Sequence, residues 1–324
     1  MNKTAVKADL LLIVTSIIWG FAFVAQRAGM DFIGPFTYNG VRFAVGGLSL
    51  LPLMYYFKTK KKKLFMVYHP EQTLASSAEA ASRSIHGRAL RNGDRWVFFF
   101  GSLAAGSILF IGASLQQMGM QYTTAGKAGF LTGLYVVLVP ILGIPLGHST
   151  RLPTWIGAIL AVFGMYILSA PDRLGQVNPG DLLVIGSAFF WAFHVLLIDR
   201  LSKRLDPIQL SAVQFAWCAL YSLITAIVLE QPHVNSILQA AIPILYGGLG
   251  SVGIAYTLQV VAQRHAPPAH SSIIMCLEGV FATLGGILIL AEPAGLRSLG
   301  GSGLMLLGML ATQWDLILGG PHEK

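Results

Sequence analysis

Charge is scarce in this chain: Asp, Glu, Lys and Arg make up only 11% of its 324 residues, against 54% hydrophobic. That balance excludes an ordinary soluble domain. Cysteine is nearly absent as well, and the two present, Cys218 and Cys276, lie in separate apolar stretches with no metal-ligand spacing around them. They read as small core residues, with no disulfide framework and no metal site. There is no Walker-type glycine-rich loop for nucleotide hydrolysis, and neither a His-Glu-x-x-His nor a Gly-x-Ser-x-Gly signature. An intramembrane enzyme would need a clustered nucleophile and base or paired carboxylates, so the sequence argues against an enzyme and implies no cofactor.

What the chain does have is an internal echo. Asp9, Trp19 and Pro35 recur as Asp181, Trp191 and Pro207, each 172 positions later. Further matches, Leu115-Gln116 with Leu258-Gln259 and Gly164-Met165 with Gly308-Met309, recur at offsets of 143 and 144. The shortened offset places 29 extra residues in the first half, between Phe43 and Leu115. Repeats in an apolar chain are a signature of membrane transporters, because two facing half-folds can enclose a site at mid-membrane.

Ten apolar stretches are long enough, at about 18 to 24 residues, to cross a bilayer as helices. In the first half they run over 9–26, 35–56, 97–117, 125–146 and 153–170, and in the second over 181–198, 207–229, 238–261, 269–290 and 297–316. The fold class expected is an all-α membrane protein of ten transmembrane helices. Five per repeat is an odd number, so the second unit, 173–324, enters from the opposite side and is inverted relative to the first, 1–172. A cleavable signal peptide is the competing reading of the first segment, since Lys3 and Lys7 precede it. The internal match of Trp19 with Trp191 argues against it.

Positive loops are retained on the cytoplasmic side. With the N-terminus inside, the inner segments hold seventeen Lys and Arg, while the outer ones hold four: Arg27, Lys127, Arg173 and Arg297. Both termini are therefore expected in the cytoplasm, and the formal charge of +8 reads as a topology signal rather than nucleic-acid binding. The long polar stretch, 57–95, begins with the run Lys58-Thr59-Lys60-Lys61-Lys62-Lys63 and holds the extra residues. Its composition suggests a mobile or partly helical insert that anchors to anionic headgroups or acts as a regulatory, partner-binding loop. Small residues at Gly101, Ala105, Gly129, Gly133, Gly247, Ser251 and Gly253 point to close helix contacts.

Away from their ends, the ten spans carry only two full charges, Arg42 and Glu278. A charge at the bilayer centre costs about 3 kcal/mol even on insertion scales, so each should face the bundle interior or a water-filled cavity. Glu278, near the middle of the ninth helix, could exchange a proton or hold a cation at a transport site, or tie its helix to a neighbour. Arg42 could hold a substrate carboxylate by bidentate bonding, or snorkel to headgroups or backbone carbonyls. Their repeat mates are Tyr135 and Gln214. Uncharged polar residues add a second layer: Gln116 and Gln117, Gln259 and Tyr256, Thr132 and Tyr135, and His194. Trp19 and Trp191 lie about ten residues into their spans, too deep for an interfacial belt, and read as cavity walls. The candidate substrate-binding set is Trp19, Arg42, Gln116, Gln117, Tyr135, Trp191, His194 and Gln259, with Glu278 for proton or ion coupling. Lys127 and its mate His270 sit in the first turn of the fourth and ninth helices, where cations are disfavoured. They either anchor to headgroups or line the cavity mouths.

These residues resemble the drug/metabolite transporter superfamily, specifically its EamA-type members. The likeness rests on Trp19-Gly20, Arg42-Phe43, the stretch from Thr124 to Leu131 with Pro140, Leu277-Glu278-Gly279-Val280-Phe281-Ala282, and Gly301 to Gly308. It covers the chain except for 57–95. The resemblance implies a central cavity formed by the first four helices of each half, and export of small metabolites such as amino acids through a bacterial inner membrane, with a homodimer among the allowed assemblies. The family often has proline after the ninth-helix glutamate; Gly279 stands there, which puts the helix break at that point in question. A membrane sensor or assembly partner working through the Lys-rich loop is the alternative.

Overall fold

A computed structural model of the chain describes residues 3–68, 92–148, 150, 152–169, 178–292 and 295–312. Residues 69–91 of the basic loop, together with Arg151, Arg173 and Lys324, lie outside the described residues.

The described residues are helical throughout, with no strand. In chain order the helices are α1 (Lys3–Gly29), α2 (Pro35–Tyr68), α3 (Asn92–Gly119), α4 (Ala125–Thr132), α5 (Tyr135–Gly143), α6 (Leu152–Ser169), α7 (Pro179–Ser202) and α8 (Pro207–Leu229). They continue with α9 (Val234–Gln239), α10 (Ala241–Leu245), a π-helical stretch Tyr246–Tyr256, α11 (Thr257–Ala262), α12 (Pro268–Met275), α13 (Glu278–Leu290) and α14 (Leu296–Thr312). The basic run that opens the polar stretch is therefore a helical extension of α2.

Eight helical stretches among the described residues are long and apolar enough to span a bilayer: 4–29, 35–57, 95–119, 125–146, 179–202, 207–229, 241–262 and 268–290. The chain is an integral, multi-pass, all-α membrane protein. Its outer surface is correspondingly oily, with Leu48, Leu51, Ile227 and Val228 among the exposed side chains. In lipid such a surface carries no penalty, whereas every backbone N–H must find a partner.

Helix starts are satisfied accordingly. Asp206 accepts from the N–H groups of Ile208 and Gln209 ahead of α8, and Pro207 fills the position that needs no donor. At α2 the cap comes from a distant residue: the Glu230 carboxylate accepts from the N–H groups of Phe36 at 2.8 Å and Thr37 at 2.7 Å. Anions at a helix N-terminus are stabilised by the aligned peptide dipoles.

Two of the spans stop and restart midway, between α4 and α5 and between α12 and α13. Both interruptions are made the same way. In the first, the N–H groups of Leu134, Val136 and Val137 donate three residues back, to Leu131, Gly133 and Leu134. In the second, Leu277, Gly279 and Val280 donate to Ile274, Cys276 and Leu277. Each bond of the second set lies 143 positions after its counterpart in the first. The break thus forms without proline after Glu278, by tightening one turn to the i→i+3 pattern. Glu278 heads the second half-helix instead of lying in mid-helix.

The broken helices cross closely. A Cβ on Gly129 would sit 2.7 Å from Cβ of Ala282, and one on Gly20 would sit 2.2 Å from Cβ of Phe281. The π-helical stretch and α13 each pack on α1, α13 also packs on α4, and α3, α7 and the α4–α5 pair pack together; α2 packs on α8, and α6 on α14. Gly20→Val should destabilise the bundle by about 1–3 kcal/mol through overpacking, read as a lowered thermal unfolding midpoint in detergent. An unchanged midpoint would contradict the α1–α13 contact.

Candidate functional site

A cavity of about 30 Å³ lies where the broken helices meet the long ones. α1 contributes Trp19, Phe23 and Gln26, spaced i, i+4, i+7 along one helical face. α2 supplies Arg42, and α3 supplies Gln116. Thr132 and Tyr135 flank the first break, and Met275 and Glu278 flank the second. Trp191, His194 and Val195 come from α7, Ser251 and Tyr256 from the π-helical stretch, and Gln259 from α11.

Tyr256 is the hub of its aromatic wall. Its ring centroid lies 4.6 Å from that of Trp19, 5.8 Å from Phe215, 6.1 Å from both Phe43 and Trp191, and 6.2 Å from His194. Phe43 and Phe215, positions 172 apart, also meet each other at 6.0 Å. Edge-on and tilted ring packing of this kind fixes side-chain angles as well as filling space.

Arg42 is 1% exposed, which rules out snorkelling to headgroups. Its Nε–H donates to Oδ1 of Asn39 at 3.0 Å, and its guanidinium carbon lies 4.9 Å from the Phe43 ring centroid and 5.4 Å from that of Tyr38. The rings stabilise the cation. Nη2 has no hydrogen-bond partner among the described residues, nor does Oε1 of Glu278. Glu278, 3% exposed, lines the cavity together with Tyr135, its mate at the 143 offset. A guanidinium and a carboxyl group thus stand around one small aromatic cavity, each with unused hydrogen-bonding capacity.

Most of the residues expected from the sequence meet here: Trp19, Arg42, Gln116, Tyr135, Trp191, His194, Gln259 and Glu278. The Gln116 amide donates to Oγ1 of Thr132 at 2.9 Å, and His194 shares a 2.9 Å hydrogen bond with Gln214, the mate of Arg42. Gln117 is not among the lining residues. It is fully buried, with its amide donating to the carbonyl of Gln26 at 3.1 Å. Phe23, Gln26, Val195, Ser251 and Met275 join the lining without having been singled out for it. The face of α1 below Trp19 carried a usable signal for the first two.

Lys127 and His270 each have a carboxylate partner. Lys127 pairs with Asp181, which also accepts from Oγ1 of Thr123 at 3.0 Å, and Nε2 of His270 lies 2.8 Å from Oδ1 of Asp9. Asp9 and Asp181 are repeat mates, as are Lys127 and His270. Lys127 also borders a second, open cavity of about 380 Å³ with Arg27, Tyr122, Thr124 and Asn178.

Comparison with known proteins decides the family. The sequence profile of the EamA-like transporter family matches residues 6–170 and 178–313. The chain belongs to that family. The transporter is 27% identical over 287 residues to an uncharacterized transporter of Archaeoglobus fulgidus, covering 88% of this chain and 79% of that protein. It is 22% identical over 309 residues to the uncharacterized transporter YoaV of Bacillus subtilis, covering 94% and 96% respectively. A crystallographically determined protein shares the fold of the transporter, with a TM-score of 0.68 and 16% identity over 95% of this chain and 96% of that one.

The pairing of Lys127 with Asp181 makes a quantitative expectation for the transporter. Lys127→Ala and Asp181→Ala should show a coupling of about 1 kcal/mol in a double-mutant cycle on thermal stability. Strictly additive losses would mean that the pair is not coupled.

Proposed function

We propose that the chain is a secondary transporter of ten transmembrane helices, arranged as two inverted five-helix repeats, 1–172 and 173–324, that rock about the central cavity in alternating access. Several observations support the repeat reading. The profile match falls into two segments, the two helix breaks share one hydrogen-bond pattern at a constant offset, the repeat mates Phe43 and Phe215 meet each other, and the mates Tyr135 and Glu278 line one cavity. Mates in contact are what a pseudo-two-fold axis through the site would give. α6 and α14 are the fifth helix of each half in this reading.

The substrate we infer is a small metabolite bearing a carboxylate and an amine, an amino acid or related compound, moved outward across a bacterial plasma membrane with both termini in the cytoplasm. One observation carries this. Arg42 and Glu278, buried around Tyr256, each keep an unpartnered polar atom at the same cavity. A carboxylate suits the planar guanidinium fork, an ammonium or a proton suits the glutamate, and the ring faces accept an apolar body. A cavity of about 30 Å³ is far smaller than the roughly 300 Å³ typical of ligand pockets, so loading requires the halves to part.

Glu278→Gln should abolish pH-gradient-driven movement in proteoliposomes while leaving the thermal midpoint in place. Flux that keeps its gradient dependence would sink the coupling role. Arg42→Gln should weaken carboxylate-bearing substrates at least tenfold more than simple amines, about the value of a charged hydrogen bond; equal losses would assign the arginine to structure. The substrate itself is found by comparing extracellular metabolites with and without expression. An amino compound accumulating only with the intact transporter is the expected outcome.

A further inference from the structure

The break-and-cross geometry leaves one end of the crossing tied by a carboxylate. At the end of α13, Ala291 adopts left-handed backbone angles, φ 54° and ψ 32°, and the N–H of Glu292 folds back to the carbonyl of Gly286 at 3.0 Å. This turn carries the Glu292 side chain across to the start of α4. There its carboxylate accepts from the N–H of Ala125 at 2.9 Å and of Gly126 at 3.3 Å. The contact ties α4, in the first repeat, to α13, in the second, at one end of their close crossing. It lies on the face where α1 ends, at the tip of the tight crossing near Gly129. For the pathway to open on that face, α4 and α13 must separate, and these charge-assisted bonds must break.

On the opposite face the sequence does not repeat this carboxylate. At the 143 offset the counterpart of Glu292 is Ser149, and the counterpart of Ala125 is Pro268, which has no N–H to give. The carboxylate and one of the two donors are missing there by residue type, since Ala269, the counterpart of Gly126, keeps its N–H.

We propose that Glu292 is a one-sided latch that holds the transport pathway closed on the face where α1 ends. The proposal rests on the alternating-access reading above. Releasing the latch shifts the population toward the state open on that face and away from the state open on the other.

The test uses the full-length protein with Cys218→Ser and Cys276→Ser, and a single reporter, Met275→Cys, at the cavity wall. A membrane-impermeant maleimide is applied to right-side-out and to inside-out vesicles. Glu292→Gln should raise the labelling rate about tenfold from the face where α1 ends, matching the loss of a charged hydrogen bond, and lower it from the other. Ala125→Pro should act in the same direction. It deletes one donor while keeping a residue favoured at the first helical position, as Pro268 is in α12, and Thr124 already has the extended angles that precede proline. Unchanged rates in both variants, with thermal midpoints intact, overturn the latch. A parent protein labelled equally fast from both faces removes the alternating-access premise, and the latch with it.

Discussion

Inside a bilayer a helix cannot simply be cut, because each freed N–H and carbonyl would face hydrocarbon. The two interrupted helices meet that constraint by tightening a single turn at the break, so the backbone stays bonded while the helix axis is free to change direction. Much of the site depends on this solution. It sets Tyr135 and Glu278 at the heads of their second half-helices, lets Gly129 approach Gly279 and Ala282, and aims both side chains at the cavity that Trp19, Trp191 and Tyr256 wall.

Eight of the ten expected spans, the charge-poor interior and the two lone charges were legible in the sequence, because hydrophobic length and the expense of a buried charge are local properties. Lateral contacts were not. Gln117 follows Gln116 directly and has the same chemistry, but successive residues on a helix point about 100° apart, so one meets the cavity and the other meets α1. Arg42 was open to snorkelling on length alone; the rings of Tyr38 and Phe43 and the amide of Asn39, which hold it inside, come together only through packing. The helix break at Glu278 was placed in question by the absence of proline. It forms because the crossing and the small residues around it allow a tightened turn, which no residue type announces.

The repeat held more information than a reading of single residues extracts. Asp9 and Asp181 are mates, Lys127 and His270 are mates, and the structure joins them as Lys127 with Asp181 and His270 with Asp9. Each pair ties the first turn of a broken helix to the N-terminal part of a long one. A cation at a helix N-terminus is unfavourable alone, and a carboxylate on the neighbouring helix removes the objection. Two apparent misfits at equivalent positions were therefore a signal that each had a partner, and the matching aspartates were the available candidates.

Winding also separates the halves. Residues 246–256 are π-helical, whereas the stretch 143 positions earlier, 103–113, lies within the α-helix α3. The residue count is the same, but the side chains leave the axis at different angles. Tyr256 is turned into the centre of the aromatic wall, while its counterpart, Ala113, is buried in the core. Two walls matched in sequence position thus present unequal surfaces to whatever lies between them. A molecule held there meets a front and a back, and turning it end over end does not restore the same contacts.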